Sequence, residues 1–215
     1  MNWSVISTNQ ALLLHGLETT ALLSVIGIVG STLLGLVSAV LRTARIPALA
    51  QLSRLYVEVF RGSPLLIQLL FVYFGAAYLG FDQMSTFTAA TIAISLYEGA
   101  YVAEIFRAGI EAVPRGQQEA ARVLGLSGWQ TFVHVVLPQT RTVVLPPLVG
   151  QYLSLIKDTS LATVIGLAEL LRQGQAIVDR IGQPLTVYLT IAALYFIICY
   201  PLSLLVSYLE RTRRA

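Results

Sequence analysis

The sequence predicts an all-α integral membrane protein with about five transmembrane helices in one domain, residues 1–215, and three observations predict it. Of 215 residues, 56 % are hydrophobic and only 12 % are charged, whereas soluble domains carry about 25 % charged residues. So few charges cannot cover a water-facing surface. The mean hydropathy is +0.74. Apolar runs long enough to cross a bilayer recur along the chain. At roughly 20 residues per span, they allow five or six spans with short loops and no separate soluble domain.

The first span runs from about Leu12 to Leu41. Gly27, Ser31, Gly35 and Ser38 place a small-residue stripe on it, which lets a second helix pack closely. Arg42 and Arg45 end the span and Pro47 breaks it. From Ala48 to Phe60 the chain reads as an interfacial helix leading into span two, which continues from Leu65 to about Leu79. After a turn over Gly80–Ser85, span three covers about Thr86 to Ile110. A polar stretch, Glu111 to about Gln130, precedes span four. That span begins near Phe132 and is interrupted by Pro138, Pro146 and Pro147. A loop from about Glu169 to Gln183 then leads to span five, Pro184 to Leu209, and a basic tail. The opening residues Met1-Asn-Trp-Ser-Val-Ile lack a basic region, so span one is expected to stay as an anchor.

Charge sets the orientation. Arg42, Arg45, Arg54 and Arg61 lie in the first loop, and Arg107, Arg115, Arg122 and Arg141 lie around the polar stretch. With the three arginines of the tail, eleven of the fourteen Lys and Arg residues fall on one side of a five-span chain. The positive-inside rule makes that side cytoplasmic, giving N-out and C-in. This placement accounts for the net charge of +3 without a nucleic-acid partner. One Cys, Cys199, and two His exclude a His/Cys metal site within the chain.

The polar stretch is a short stiff helix by its signals. Pro114 suits its first turn, and Gly125 suits the left-handed residue that ends it. Ala120, Ala121 and Leu124 can share one face, and Glu119 can pair with Arg122. Ser127 and Gln130 form a capping box for the next helix. On these residues alone, the stretch is either a helical connector or a docking helix whose alanines admit another protein.

Glu119-Ala-Ala-Arg-Val-Leu-Gly125, followed by Val135-Val-Leu-Pro138-Gln139, resembles the EAA loop of ABC import permeases. Four further segments resemble the polar amino acid branch of that family, the histidine, glutamine and arginine type. They are Phe60-Arg-Gly-Ser-Pro-Leu-Leu66, Ala100-Tyr-Val-Ala-Glu-Ile-Phe-Arg107, Gly116-Gln and Lys157-Asp-Thr-Ser-Leu161. The resemblance implies a type I importer permease fold in the bacterial inner membrane. It also implies a coupling helix seated in a groove of a separate ATPase, with Gly116, Glu119, Ala120, Ala121, Leu124 and Gly125 carrying the contact. The implied partners are that ATPase, which would bind ATP and Mg, a second permease, identical or homologous, and an external amino-acid-binding protein. Two positions depart from the branch. Gly150 stands where Asn is frequent, and Glu98 where many members have a small or neutral polar residue.

Ionisable groups at membrane depth are costly and point to function. The candidate substrate path comprises Gln68, Glu98, Lys157, Asp158, Thr159 and Ser160. Glu98 lies nine residues from Arg107, about 13 Å along a helix and close to mid-bilayer. It is expected either to pair with Lys157 or to receive the cationic group of an amino acid. Backbone freed by Pro146-Pro147 and by the Lys157–Ser160 break could bind the ends of the zwitterion. Glu104 with Arg107, and Glu58 with Arg61, read as intrahelical pairs.

The chain has no phosphate loop of the Gly-x-x-x-x-Gly-Lys type, so a primary transporter built on it must borrow its ATPase, and no enzymatic activity of its own is expected. His15 and His134 sit at span ends near opposite faces, which argues against an intramembrane hydrolase. An ion-driven secondary amino acid transporter is the alternative, but the internal repeats frequent in such carriers are not evident.

Overall fold

The computed structural model describes residues 3–43, 46–81 and 84–214, with the backbone alone at 43 and 212–214. Arg45, part of the Gly80–Ser85 turn, and the side chains of Arg213 and Arg214 in the basic tail lie outside the described residues. Ten α-helices follow in order among the described residues. They are α1 (Ser4–Thr8), α2 (Gln10–Thr43), α3 (Pro47–Gly62), α4 (Leu65–Tyr78), α5 (Thr86–Glu111), α6 (Arg115–Val123), α7 (Gly128–Thr131), α8 (Leu137–Asp158), α9 (Leu170–Ile181) and α10 (Pro184–Arg214). A π-helical turn, Phe132–Val136, joins α7 to α8, and a 3₁₀ segment, Thr159–Ile165, follows α8.

Four helical stretches are long and apolar enough to span a membrane, and a bent pair can make a fifth. In that pair, α3 meets α4 at 107°. The bend falls at Ser63-Pro64, where Pro64 is extended and disfavours a helical residue before it. Gln68 holds the bend. Its Nε2 donates to the Phe60 carbonyl (2.8 Å), the Ser63 carbonyl (3.2 Å) and Ser63 Oγ (2.8 Å).

Helix α5 is the central element, and the small-residue stripe of α2 lies against it. A Cβ added at Gly35 would collide with Val102, and one at Gly30 with Ser95. Ala90, Ala93, Ile94 and Val102 of α5 are fully buried. Lipid tails are as apolar as these side chains, so close packing and hydrogen bonds, more than hydrophobic transfer, hold the helices together. Ser38 Oγ meets Ser53 Oγ at 2.7 Å to join α2 to α3. Tyr56 OH donates to the Leu96 carbonyl at 2.6 Å, and Thr32 Oγ1 lies 2.6 Å from Tyr152 OH of α8. Gly109 lets α8 approach α5, because a Cβ there would meet Val144 and Thr140.

Three expectations are corrected. The segment expected as a loop before span five is helix α9, which turns Leu170, Gly174 and Ile177 inward. Its N-cap is the fully buried Glu169, whose carboxylate accepts from the Leu171 and Arg172 amides at 2.8 and 2.7 Å. Pro146 and Pro147 do not interrupt span four, since α8 runs through both; the irregular backbone lies at its two ends. No ion pair joins Glu58 to Arg61 among the described residues. Arg61 instead lies 3.9 Å from Glu104 and 5.0 Å from the centre of the Tyr101 ring.

Candidate functional site

Two regions carry the candidate residues, a cavity between α5 and α8 and the short helix α6. The cavity, about 430 Å³, opens between α5 and α8. Tyr97 and Tyr101 line it from one side, and Gln151, Ser154, Lys157 and Asp158 from the other. The spacings follow from the helix: Tyr97 and Tyr101 are one turn apart, and Gln151, Ser154 and Asp158 recur at three and four residues. The two phenol oxygens are 3.2 Å apart.

Glu98 lies beside this cavity, fully buried. Its Oε2 accepts a hydrogen bond from Gln151 Nε2 at 2.6 Å, and its Oε1 has no partner among the described residues. Asp158 is close enough for the two carboxyl groups to interact, and Lys157 acts electrostatically on Asp158. Of the two expected roles, the Glu98–Lys157 pair does not form among the described residues; Glu98 bonds Gln151 and lies within reach of Asp158, whereas Lys157 acts on Asp158. A buried carboxyl oxygen without a donor is costly, and the arrangement suits a ligand that brings a cationic donor.

Of the sequence-predicted path residues, the structure brings together Glu98, Lys157 and Asp158. Gln68 is engaged in the α3–α4 bend. Thr159 and Ser160 turn their hydroxyls back to the carbonyls of Ile156 (2.6 Å) and Lys157 (2.7 Å). Sequence reasoning missed Tyr97, Tyr101, Gln151 and Ser154. The polar stripe at 151, 154 and 158 in an otherwise apolar span was the signal available.

At the ends of α2 and α5 nearest α6, Glu104 binds Arg42 of α2 and Arg107 of its own helix, with Arg107 Nη2 at 2.7 Å, and Arg107 also binds Glu111. The intrahelical Glu104–Arg107 pair is thus part of a network that ties α2, α3 and α5 together.

Helix α6 is capped by Pro114 at its start and by Leu124 at its end, and the next residue, Gly125, has a φ of +84°, the left-handed conformation glycine favours. The Leu126 amide closes the turn on the Ala121 carbonyl at 3.1 Å. The capping box forms as expected, with Ser127 N donating to Gln130 Oε1 at 2.8 Å and Gln130 N to Ser127 Oγ at 3.3 Å. The alanines divide. Ala121 is buried, while Gly116, Ala120 and Leu124, at i, i+4 and i+8, form an exposed stripe beside Glu119 and Val123. Leu124 is 80 % and Val123 87 % exposed. Ala120, Ala121 and Leu124 therefore do not share one face, because Ala121 turns inward. No Glu119–Arg122 ion pair forms among the described residues.

Residues 31–215 match the family described as binding-protein-dependent transport system inner membrane component, and the chain belongs to that family. Among its relatives, the glutamine transport system permease protein GlnP of Escherichia coli K12 is 39 % identical over 212 residues. The match covers 98 % of this chain and 96 % of that one. The probable glutamine ABC transporter permease protein GlnM of Bacillus subtilis 168 is 37 % identical over 211 residues, covering 98 % and 97 %. A crystal structure of an amino acid ABC transporter with histidines superposes with a TM-score of 0.91 at 35 % identity, covering 99 % of both chains. The MetNI methionine ABC transporter shares the fold alone, at a TM-score of 0.79 and 20 % identity. The chain is thus a multi-pass permease component of the inner membrane with the type I importer fold. Its relatives are ABC transporter subunits, which favours this reading over an ion-driven carrier.

Proposed function

We propose that this chain is the permease through which an ATP-driven importer takes up a polar amino acid, and that Glu98 and Asp158 receive the cationic group of the substrate. The carrying observation is the buried Glu98 oxygen without a donor, beside a cavity that also offers Gln151, Ser154 and Lys157. Two carboxyl groups opposite one ammonium favour a ligand with a net cationic end there, and Lys157 can face its carboxylate. Relatives named for glutamine transport support the substrate class.

The exposed stripe of α6 is the contact for a cytoplasmic ATPase. Gly116 and Ala120 let it approach, Leu124 fills its groove, and Glu119 supplies charge at the edge. ATP and Mg belong to that ATPase; this chain contributes no catalytic residue. Closure of two ATPases would draw two coupling helices together and rock the paired permeases between inward and outward states, while an external binding protein delivers the ligand. Orientation with α6 in the cytoplasm agrees with the arginine distribution.

Uptake of radiolabelled basic, acidic and amide amino acids into proteoliposomes tests this. Glu98→Gln is expected to lower uptake of the preferred amino acid at least about tenfold, as loss of a charge-assisted contact worth about 1.5–3 kcal/mol implies. Unchanged uptake of every amino acid in the panel removes Glu98 from the substrate path.

A further inference from the structure

An apolar groove of about 450 Å³ lies between α2, α5 and α8, walled by Leu36, Val40, Phe106, Ile110 and Leu148. Its position on α8 separates it from the Glu98 cavity. At about 100° per residue, Arg141 sits about 140° and 160° around the helix from Ser154 and Lys157. The groove takes residues 137–148 of α8 and the cavity residues 151–158, so the two also lie at different levels along the helix.

Arg141 is the one charged side chain on the groove wall among the described residues. Its depth is set by Thr140, whose Oγ1 reaches the Gly109 carbonyl at 3.4 Å. That contact puts Arg141 level with the last turn of α5, where Arg107 meets Glu104 and Glu111. Leu148 lies seven residues deeper, about 10 Å along the helix. The groove thus runs from the charged ends of the helices into the hydrocarbon. The neighbouring arginines Arg42, Arg61 and Arg107 face Glu104 or Glu111. Arg141 is exposed and has no ion-pair partner among the described residues.

We infer that the groove holds an anionic glycerophospholipid, with its phosphate on Arg141 and one acyl chain along the walls of α2, α5 and α8. A guanidinium pairs with phosphate through two parallel hydrogen bonds, and basic pockets between membrane helices on the cytoplasmic side suit anionic headgroups. The positive-inside distribution places this end of the helices in the cytoplasmic leaflet. The π-helical turn Phe132–Val136 brings Phe132 to the groove. A lipid seated there touches the segment that joins α6 to α8.

The test is native mass spectrometry of the delipidated full chain, in whatever complex it purifies with, offered dioleoylphosphatidylglycerol and dioleoylphosphatidylcholine in competition. Wild type is expected to retain the anionic lipid about fivefold more than the zwitterionic one, the preference one surface arginine supplies. Arg141→Gln is expected to abolish that preference, Arg141→Lys to restore part of it, and Val40→Trp to reduce retention of both lipids by filling the groove. Arg180→Gln, at the other end of the bundle, should behave as wild type. An unchanged preference in Arg141→Gln overturns the inference. So does equal displacement of the lipid by inorganic phosphate or dihexanoylphosphatidylglycerol, which shows a site for the headgroup alone. A disulfide between two copies of Leu145→Cys, in a Cys199→Ser background, also overturns it by showing that a second copy covers the groove.

Discussion

The half-buried Gln151 and the fully buried Glu98 form a pair in which the amide holds one carboxyl oxygen and leaves the other open. Removing only the amide strands the acid, so Gln151→Leu is expected to destabilise the chain by about 1–3 kcal/mol. Replacing both, Glu98→Leu with Gln151→Leu, is expected to cost less than the sum of the single changes, because no stranded group remains. Thermal unfolding in detergent measures both; additive losses would show that the two side chains do not act as a pair. Glu98 was legible in the sequence as a lone acid counted along a helix from Arg107. Its partner was not, because two residues 53 positions apart in the chain meet only through the packing of α5 on α8.

At the scale of the element, α6 presents two faces with different tasks. Ala120→Arg alters only the exposed stripe, so binding of the ATPase should fall while the unfolding temperature stays near that of wild type. Ala121→Leu enlarges an inward residue and should cost about 1–3 kcal/mol of stability through overpacking. Pull-down of the ATPase alongside thermal unfolding separates the two, and an identical response to both changes would deny the division of faces. The boundaries of α6 were legible because Pro114, Gly125 and the Ser127–Gln130 box are local signals. Helix α9 was not legible, since Glu is not among the preferred N-cap residues and its ordering depends on burial of Glu169 against α10. Tyr195 OH donates to that carboxylate at 3.2 Å, and the Leu170 amide reaches Thr20 Oγ1 of α2 at 3.1 Å. Glu169→Ala should therefore loosen α9 by about 0.5–2 kcal/mol, read as faster amide exchange over residues 170–181. Exchange as slow as wild type would show that packing alone orders this helix. The continuity of α8 through Pro146-Pro147 also escaped sequence reasoning, because proline is tolerated in membrane helices whose neighbours re-satisfy the backbone.

For the whole molecule, four apolar spans, or five if the bent α3–α4 pair is one, form a bundle in which α5 and α8 line the cavity. The same helix α5 runs from Glu98 through the Glu104 network to Glu111 at the threshold of α6. In the proposed importer, that continuity would give ATPase movement a rigid path to the cavity, and composition with loop charges made the general architecture readable from the sequence. The central claim is that transport through this chain is driven by an ATPase docked on α6. ATP-dependent uptake in proteoliposomes containing the chain, its ATPase and its binding protein, with wild type set against Glu119→Lys, tests it most directly. Uptake is expected to require ATP, to ignore proton and sodium gradients, and to disappear together with ATPase association in Glu119→Lys. Uptake that persists without ATP and follows an ion gradient in both proteins would contradict it.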